Sequence, residues 1–332
     1  MEDLPEGFDE DRLRAGLRGF GLHATTIGYA PVGFGDYHWT VTDAAGERWF
    51  ATVADLDHKE HCGQGAVAAL AGLRRAMETA AVLRERDGLS FVVAPLRAPS
   101  GETVVPLDAR YGLSVFPYLP GTAGEFGQEQ TPEERGMVLD LLADLHSRTP
   151  PEPVPAIAPA LPGRAGLEAA LSEAATTWRG GPFSEPARGL VAAHATALRA
   201  RLRDFDRLDG DVRGRGAALV VTHGEPHPGN LLLGDGGYLL VDWDTVGLAV
   251  PERDLSVVSA DPAAFARYTE TTGHAVDPAA VELYRLRWAL SDVADFAAWF
   301  RAPHTRNPDT ETAWQGLTRT VEHLAGGSAG PR

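Results

Sequence analysis

The sequence is short of cysteine and of long apolar runs, and each shortage excludes a class of protein. Cys62 is the only cysteine among 332 residues, so no intramolecular disulfide can form and nothing indicates an oxidising compartment. No apolar run approaches the length that spans a bilayer. The first residues, MEDLPEGFDE, are acidic where a secretory signal would be basic and then apolar. We therefore expect a cytoplasmic protein without a membrane partner.

Positive charge is also scarce. Lys59 is the only lysine, and 46 acidic residues outnumber 30 basic ones, which gives a formal net charge of −16. Because lysine and arginine neutralise the phosphates of nucleic acids, this balance argues against a nucleic-acid partner. It favours a cationic small molecule instead. The composition leaves the oligomeric state open between monomer and dimer.

The length and the apolar share of 44% predict two lobes with hydrophobic cores. Residues 1–118 have the pattern of a small antiparallel β lobe with one main helix over 65–87, and strand character resumes over 91–96 and 111–118. A proline-rich and glycine-rich hinge follows. Residues 119–332 have a mainly helical pattern. The expected fold class is α+β, with the lobe boundary between residues 118 and 119.

The most informative segment is residues 220–244, VVTHGEPHPGNLLLGDGGYLLVDWD, in which two apolar strands flank a glycine-rich turn. This is the pattern of a β-hairpin. Pairing about Gly236 places Asn230, where one strand starts, opposite Asp242, where the other ends. Their amide and carboxylate oxygens are ligands that Mg²⁺ prefers when phosphates and waters complete its shell. Glu225 precedes them in a proline-stiffened loop, where it can accept a hydrogen bond from an attacking hydroxyl.

This spacing resembles that of protein kinases, in which an H-x-D-x-x-x-x-N loop precedes a metal-binding aspartate. His223, Glu225, Asn230 and Asp242 occupy those positions in order. The sequence HGEPHPGN followed by VDWD is most similar to the aminoglycoside phosphotransferase family and its small-molecule kinase relatives. That family typically has HGDxxxxN and then IDW(D/E). The resemblance covers most of the chain, and residues 223–244 are its specific part.

The resemblance implies a two-lobed, protein-kinase-like fold and transfer of a phosphoryl group from ATP or GTP, with Mg²⁺, to a hydroxyl of a small molecule. Glu225 and His223 are the expected catalytic residues, with His223 bonding the loop backbone rather than carrying a proton. Asn230 and Asp242 are the expected Mg²⁺ ligands. A glycine loop is expected over the phosphates and the hinge against the adenine. The residues expected to bind the nucleotide are Gly33, Gly35, Asp36, Phe116, Tyr118 and Leu119.

Two further pieces carry the resemblance. The sequence LLADLH, which ends at His146, is similar to the family's L-x-x-L-H helix. Asp254 resembles the family's aspartate after the metal-binding strand. We expect Asp254 to brace the catalytic loop by hydrogen bonds rather than to touch substrate.

Two positions depart from the family's pattern. The catalytic carboxylate is usually Asp, and Glu225 has one more methylene, which moves its oxygens by about one carbon–carbon bond, roughly 1.5 Å. The strand that should carry a phosphate-pairing lysine has Thr52 at the expected place, and Lys59 lies seven residues further on. Glu78, on the next helix, is the candidate partner of that cation. A catalytically impaired, nucleotide- or ligand-binding relative therefore remains an alternative.

A helix predicted over residues 278–301 carries the candidate acceptor site. Intervals of four, three and four place two tryptophans and two aspartates on one face: Trp288, Asp292, Asp295 and Trp299. Carboxylates among indole rings suit a polycationic ligand through ion pairs and cation–π contacts. An aminoglycoside-like antibiotic or a related metabolite fits this description. The alternative is that both tryptophans belong to the core, with the aspartates at its edge.

A metal-dependent hydrolase is the other enzyme class that the residues allow, because His223, His227 and Asp242 are potential zinc ligands. Two prolines deny this segment the helix of an H-E-x-x-H site. A second potential cluster, which more simply forms a solvated loop, consists of His58, His61 and Cys62.

Overall fold

The N-terminal strands form a five-stranded antiparallel sheet in the computed structural model of the protein, which describes residues 1–5, 9–157, 160–234, 236–259 and 262–326. The strands are β1 (Ala24–Ala30), β2 (Tyr37–Asp43), β3 (Arg48–Asp55), β4 (Val105–Pro106) and β5 (Tyr111–Pro117). Their order across the sheet is β1-β2-β3-β5-β4. The predicted antiparallel lobe and the α+β class are confirmed.

The two faces of this sheet differ because side chains alternate along a strand. One face buries Trp39, Val41, Ala51 and Val53 against helix α1 (Glu10–Gly19). The other face has polar and aromatic side chains. There His38 pairs across the strands with Thr52, and Phe50 pairs with Phe116. The His38 and Phe50 rings stack with centroids 5.1 Å apart.

Helix α2 (Ala66–Glu85) is the main helix predicted for this region. A short 3₁₀ turn (Leu56–His58) and a loop connect it to β3. The loop lies directly on the helix at Gly72, where a Cβ atom would overlap the carbonyl oxygen of Cys62. The absence of a side chain at Gly72 therefore fixes where the loop runs.

The prediction of a strand over residues 91–96 is wrong. Val92 makes a single parallel bridge to Leu240, and Leu240 donates its N–H to the carbonyl of Phe91 at 2.7 Å. The segment bonds to the hairpin at Leu240, and the N–H of Leu96 donates to the carbonyl of Val115 in β5 at 2.6 Å. Its backbone hydrogen bonds are thus divided between the hairpin and the sheet, and no strand forms there.

The predicted hairpin is confirmed, with a register that differs by one residue. The remaining strands are β6 (Thr122–Ala123), β7 (Val220–Thr222), β8 (Leu231–Gly234), β9 (Gly237–Leu240) and β10 (Gly247–Ala249). Strand β8 lies between β6 and β9, and β7 pairs with β10. Gly234 pairs with Gly237, so Asn230 faces Val241 rather than Asp242, and Val241 donates its N–H to the Asn230 carbonyl at 3.0 Å. The connection has an even number of residues, one of which, Asp235, lies outside the described residues.

The other helices are α3 (Pro132–His146), α4 (Arg164–Ser172), α5 (Ser184–Gly214), α6 (Glu252–Val258), α7 (Ala266–Thr272), α8 (Pro278–Arg301) and α9 (Pro308–Gly326). Helix α3 begins with a capping box, in which the side chains of Thr131 and Glu134 each accept a hydrogen bond from the other's backbone N–H. The helix predicted over 278–301 is α8. In the part of the chain that the structure describes, no helix is long and apolar enough to cross a bilayer.

The chain divides into two compact units. The first comprises Met1–Ile157 and Leu219–Ala275, and it contains all the strands with α1, α2, α3, α6 and α7. The second comprises Ala158–Ala218 and Val276–Arg332, and its core is formed by α4, α5, α8 and α9. The boundary between residues 118 and 119 stays a prediction, since the first unit extends past it and takes up a later segment of chain.

Candidate active site

Asp254, at the start of α6, holds the loop of residues 223–230 by its backbone. The N–H groups of His223 and Gly224 donate to its two carboxylate oxygens at 2.8 and 2.6 Å. Nε2 of His146 lies 3.0 Å from the same carboxylate, and Nδ1 of His146 lies 2.7 Å from the Tyr268 hydroxyl. The predicted bracing of the loop by Asp254 is confirmed.

The carboxylate of Asp254 is completely buried. Burial alone would raise its pKa, but the hydrogen bond and charge of His146, together with Arg253, lower the pKa below the usual value. The group is therefore ionised at neutral pH. An ionised carboxylate with three donors is a rigid anchor for the loop.

His223 connects the loop to the strand that leads to Asp242. Its Nδ1 accepts a hydrogen bond from the N–H of Glu225 at 3.2 Å, so Nε2 carries the proton and donates to the carbonyl of Val241 at 2.9 Å. The ring is fully buried against Trp243, and burial lowers its pKa to about 4. His223 is thus neutral, with both nitrogens bonded to backbone.

These contacts count against the metal-hydrolase alternative. A zinc ligand needs a free ring nitrogen, and His223 has none. Across the described ranges, no three residues among His, Cys, Asp and Glu are grouped as a metal-ion site. The alternatives based on His223, His227 and Asp242, and on His58, His61 and Cys62, therefore lack the geometry that they require.

Arg253 fixes the loop from the other side, and the sequence reasoning did not identify it. Its guanidinium donates to the Thr222 hydroxyl and to the Thr245 carbonyl, each at 2.8 Å. It fills the space where a Cβ atom at Gly224 would lie, and Gly224 has φ of +103°. Only glycine fits here, because both the backbone angle and the space exclude a side chain. Its position beside Asp254 in PERD was the available signal.

Glu225 and Asn230 lie at the two ends of this loop. The carbonyl of Glu225 accepts hydrogen bonds from the N–H of His227 at 2.8 Å and from the side-chain nitrogen of Asn230 at 3.0 Å. The side-chain nitrogen of Asn230 is bonded to the loop, so its oxygen is the atom that the expected metal contact would use. That contact stays a prediction. Burial and the negative charge of Asp244 raise the pKa of the half-buried Glu225.

Asp242 follows the hairpin in a strained conformation. With φ of +63° it is the only residue other than glycine in the left-handed region, among those that the structure describes. Such a conformation costs about 1–3 kcal/mol and is concentrated at functional sites. The side chain reaches solvent. Desolvation by the surrounding protein and the charge of Asp244 raise its pKa well above the usual value.

Lys59 is the cation of this site. Its ammonium is buried and forms ion pairs with Asp244 and, at 3.0 Å, with Asp36 of the glycine loop. Nε2 of His61 lies 3.2 Å from the same oxygen of Asp244, and the Cys62 thiol donates to the Asp244 carbonyl at 3.6 Å. Burial alone would lower the pKa of Lys59, but the charges of Asp244 and Asp36 raise it well above the usual value. The sequence did not identify Asp244, although it is part of the VDWD motif, and it predicted a solvated loop for His61 and Cys62 rather than contacts with Asp244.

The prediction that Glu78 pairs with the cation of the site is wrong. Glu78 forms a two-pronged ion pair with Arg97, at 2.7 and 2.8 Å, rather than with Lys59. At the strand position expected for a lysine, the Thr52 hydroxyl lies 3.1 Å from Nδ1 of His38. The strand and the helix therefore do not supply the lysine–glutamate pair that the resemblance suggested.

The glycine loop connects β1 and β2, as the sequence predicts. Gly33 and Gly35 have φ of +69° and +109°, values that favour glycine. At the hinge, the N–H of Tyr118 donates to the carbonyl of Arg48 at 3.1 Å, and the Arg48 guanidinium carbon lies 3.6 Å from the centre of the Tyr118 ring. Phe116 and Leu119, on either side of Tyr118 and its neighbouring proline, are half-buried. Contact of these residues with a nucleotide stays a prediction.

The four candidate acceptor residues lie on α8, in the second unit. Trp288, Asp292 and Trp299 are half-buried and Asp295 is exposed. Trp299 packs against the core of its unit, as the alternative reading expected for both tryptophans. Binding of an acceptor by this face also stays a prediction.

The fold, together with a glycine loop and a braced catalytic loop, is that of protein-kinase-like phosphotransferases that act on small molecules. Residues 30–286 match the model described as the phosphotransferase enzyme family, APH, and the chain belongs to this family. Protein StrN of Streptomyces griseus is 30% identical over 255 residues, which cover 74% of this chain and 76% of StrN.

Solved structures confirm the fold. Spectinomycin phosphotransferase APH(9)-Ia, in complex with ADP and spectinomycin, is 15% identical with a TM-score of 0.69, over 97% of this chain and 99% of that chain. A microcompartment-associated aminopropanol kinase is 16% identical with a TM-score of 0.62, over 95% and 96% of the two chains. The amicoumacin kinase hAmiN, in complex with AMP-PNP, Ca²⁺ and its ligand, is 13% identical with a TM-score of 0.58, over 96% and 94%.

Proposed function

We propose that the protein transfers the γ-phosphoryl group of ATP, with Mg²⁺, to a hydroxyl of a small cationic molecule. The observation that carries this proposal is the loop of residues 223–230, fixed by Asp254 and Arg253, which holds Glu225 and Asn230 next to the strand end at Asp242. Phosphoryl transfer depends mainly on positioning and on charge stabilisation, and a rigid loop supplies the positioning.

Glu225 orients the acceptor hydroxyl and accepts its proton as the new oxygen–phosphorus bond forms and ADP leaves. Its raised pKa makes it a better proton acceptor than an exposed carboxylate. The position of its backbone is set by His223 and Asn230. A backbone fixed in this way offers a means of accommodating the extra methylene that distinguishes Glu225 from the usual aspartate.

The side chains of Asn230 and Asp242 have the chemistry of ligands for a divalent metal ion. The oxygen of Asn230 and the carboxylate of Asp242 are hard oxygen ligands, and the side chain of Asp242 is open to solvent at the end of its strand. When bound, Mg²⁺ would neutralise charge on the phosphates. The structures similar to this chain include one with ADP and one with AMP-PNP and Ca²⁺, which supports a nucleotide and a divalent cation as cofactors. Gly33, Gly35 and the hinge at 116–119 would hold the nucleotide.

The acceptor that we propose is an aminoglycoside-like antibiotic or a related metabolite. A net charge of −16 attracts cations, and the α8 face adds two carboxylates beside two indole rings. The similar structures include kinases named for spectinomycin, amicoumacin and aminopropanol. These names support a small-molecule acceptor for this chain.

The test is to incubate the purified protein with Mg-ATP and a panel of hydroxylated antibiotics, and to detect phosphorylated acceptor and ADP by mass spectrometry. Glu225→Gln should lower kcat about 100-fold or more while the affinity for ATP stays near the wild-type value. Glu225→Asp should retain activity, and Glu129→Gln, an exposed control, should match the wild type. Nucleotide binding without product from any acceptor would support the catalytically impaired alternative and contradict the proposal.

A further inference from the structure

The single lysine of the chain lies where three separate segments meet. Lys59 follows the 3₁₀ turn after β3, Asp36 ends the glycine loop, and Asp244 lies two residues after Asp242. The Lys59 ammonium contacts both carboxylates and is 7% exposed. One cation thus joins the loop expected over the phosphates to the segment expected to hold the metal.

The resemblance suggested a lysine on the strand and a glutamate on the helix, but both of these positions make other contacts. Thr52 contacts His38, and Glu78 pairs with Arg97. The loop that carries Lys59 is instead fixed against Gly72 of α2. The structure therefore delivers a lysine to the site from the loop after the strand.

The two carboxylates that hold Lys59 are not equivalent. The Asp244 carboxylate also contacts Nε2 of His61, and the backbone carbonyl of Asp244 accepts a hydrogen bond from the Cys62 thiol. Asp244 therefore has two further partners that hold it. Asp36 has Lys59 at one oxygen, whereas its other oxygen, Oδ1, is buried without a hydrogen-bond partner in the described residues. A half-satisfied buried carboxylate is a costly arrangement, and Asp36 is the weaker of the two partners.

The negative charge of Asp36 is unfavourable in a loop that is expected to cover phosphates. A carboxylate in a loop over a triphosphate repels the phosphates, and the adjacent Lys59 ammonium offsets its charge. Phosphate oxygens are strong acceptors for an ammonium, so an incoming triphosphate competes with Asp36 for Lys59. Breaking the contact with Asp36 leaves Lys59 still held by Asp244.

We propose that Lys59 is the phosphate-binding cation of this enzyme and that Asp36 is its displaceable partner in the nucleotide-free protein. Asp244 positions Lys59 in both states. The inference rests on the proposed function, since it requires phosphates beneath the glycine loop. It implies that Asp36 lowers the affinity for the nucleotide, whereas an ordinary binding residue raises it.

The test is isothermal titration calorimetry with ATP, ADP and adenosine in the presence of Mg²⁺. Lys59→Met should weaken the binding of ATP and ADP about tenfold or more and leave adenosine unchanged, because only phosphates contact the ammonium. Asp36→Asn should tighten ATP binding by several-fold, about 3-fold to 10-fold, again without an effect on adenosine. Glu60→Gln, exposed in the same loop, is the matched control and should leave all three affinities unchanged.

Removal of Lys59 leaves two buried carboxylates without their cation and can unfold the protein. The double variant Lys59→Met/Asp36→Asn restores the charge balance, and it should bind ATP about tenfold more weakly than Asp36→Asn. Equal ATP affinity in these two variants would overturn the role of Lys59, and unchanged or weaker ATP binding by Asp36→Asn would overturn that of Asp36. Wild-type protein that binds no nucleotide would instead contradict the proposed function itself.

Discussion

Asp242 combines a strained backbone with several like charges nearby. Its φ of +63° is unfavourable for a residue with a side chain, and Asp244, Asp36 and Glu225 all act to raise its pKa. Nothing in the fold alone requires a carboxylate at this place. The strain and the repulsion agree with the metal-binding role that we propose for Asp242.

Replacement of Asp242 by asparagine should separate stability from activity. Asparagine tolerates the left-handed region and removes a negative charge from the cluster. We expect Tm, measured calorimetrically without nucleotide, to rise by roughly 1–4 °C, and phosphoryl transfer to fall below detection. Asp57→Asn, at an exposed carboxylate, should change neither. A lower Tm for Asp242→Asn would show that the carboxylate is structural.

His223 makes stability depend on pH. In the folded protein it stays neutral until about pH 4, whereas in the unfolded chain it takes up a proton from about pH 6.5. The unfolded state therefore binds more protons in this window, and stability is lost as the pH falls through it. The lowering of the His223 pKa from 6.5 to about 4 corresponds to about 3 kcal/mol of unfolding free energy at pH 4.

The difference between wild type and His223→Gln isolates this effect, because the other titrating groups are common to both proteins. The advantage of the wild type in unfolding free energy should shrink by about 3 kcal/mol between pH 7 and pH 4. Urea denaturation at the two pH values measures it. A pH-independent difference would mean that His223 titrates normally.

At this scale the sequence revealed contacts between near neighbours and missed distant ones. The four expected site residues lie within 20 positions of one another, in the loop before one hairpin and just after it, so their spacing predicts that they lie close together: His223, Glu225, Asn230 and Asp242. The contact between Lys59 and Asp244 spans 185 positions and has no periodic pattern. Such a contact depends on how the loop packs, which spacing does not encode.

Among the elements, helix α2 acts as a support for the Lys59 loop. Gly72→Ala should push the Cys62 carbonyl away from the helix and with it the loop. We expect weaker ATP binding and a lower Tm, because the new methyl group would overlap backbone atoms of Cys62, which cannot move unless the loop moves. Titration calorimetry and thermal melting measure the two effects.

The control is Gly189→Ala in α5, where a Cβ atom meets no neighbour within 4 Å. This change should stabilise the protein by about 0.5–1 kcal/mol, because alanine loses less backbone entropy than glycine in a helix. If Gly72→Ala behaved in the same way, the close contact with Cys62 would not constrain the loop.

The sequence predicted elements well where residues of the element itself determine where it begins. The helix predicted over 278–301 is an example, since Asp277 caps its N-terminus and Pro278 is its first residue. The segment 91–96 was mistaken for a strand because its backbone bonds are divided between Leu240, more than 140 residues further along the chain, and Val115 of β5. The hairpin register was misplaced by one because turn length is not fixed by a run of glycines.

On the scale of the whole molecule, the arrangement of the chain could not be read from local pattern. The first unit is completed by Leu219–Ala275, so the segment with the catalytic loop joins strands that precede it by more than 100 residues. A domain boundary predicted from the hinge near residue 118 does not anticipate that a later segment of the chain returns to the first unit. The aromatic and β-branched alternation nevertheless identified the antiparallel sheet.

The net charge of −16 should make acceptor recognition depend on salt. We expect kcat/KM for a cationic acceptor to fall several-fold between about 50 and 300 mM NaCl, because screening weakens long-range attraction. A neutral acceptor of similar size, compared in the same assay, should show no such fall. Equal salt dependence for both would point to an effect on the protein or on ATP rather than on the acceptor.

A chain with one lysine has one side chain that reacts with amine-directed acylating reagents. Apart from the terminal amino group, such a reagent can modify only Lys59, which is enclosed by its carboxylate partners. The rate of acylation at this position would therefore report on how well Asp36 and Asp244 shield the ammonium. The protein carries, without engineering, a chemical probe of its own site.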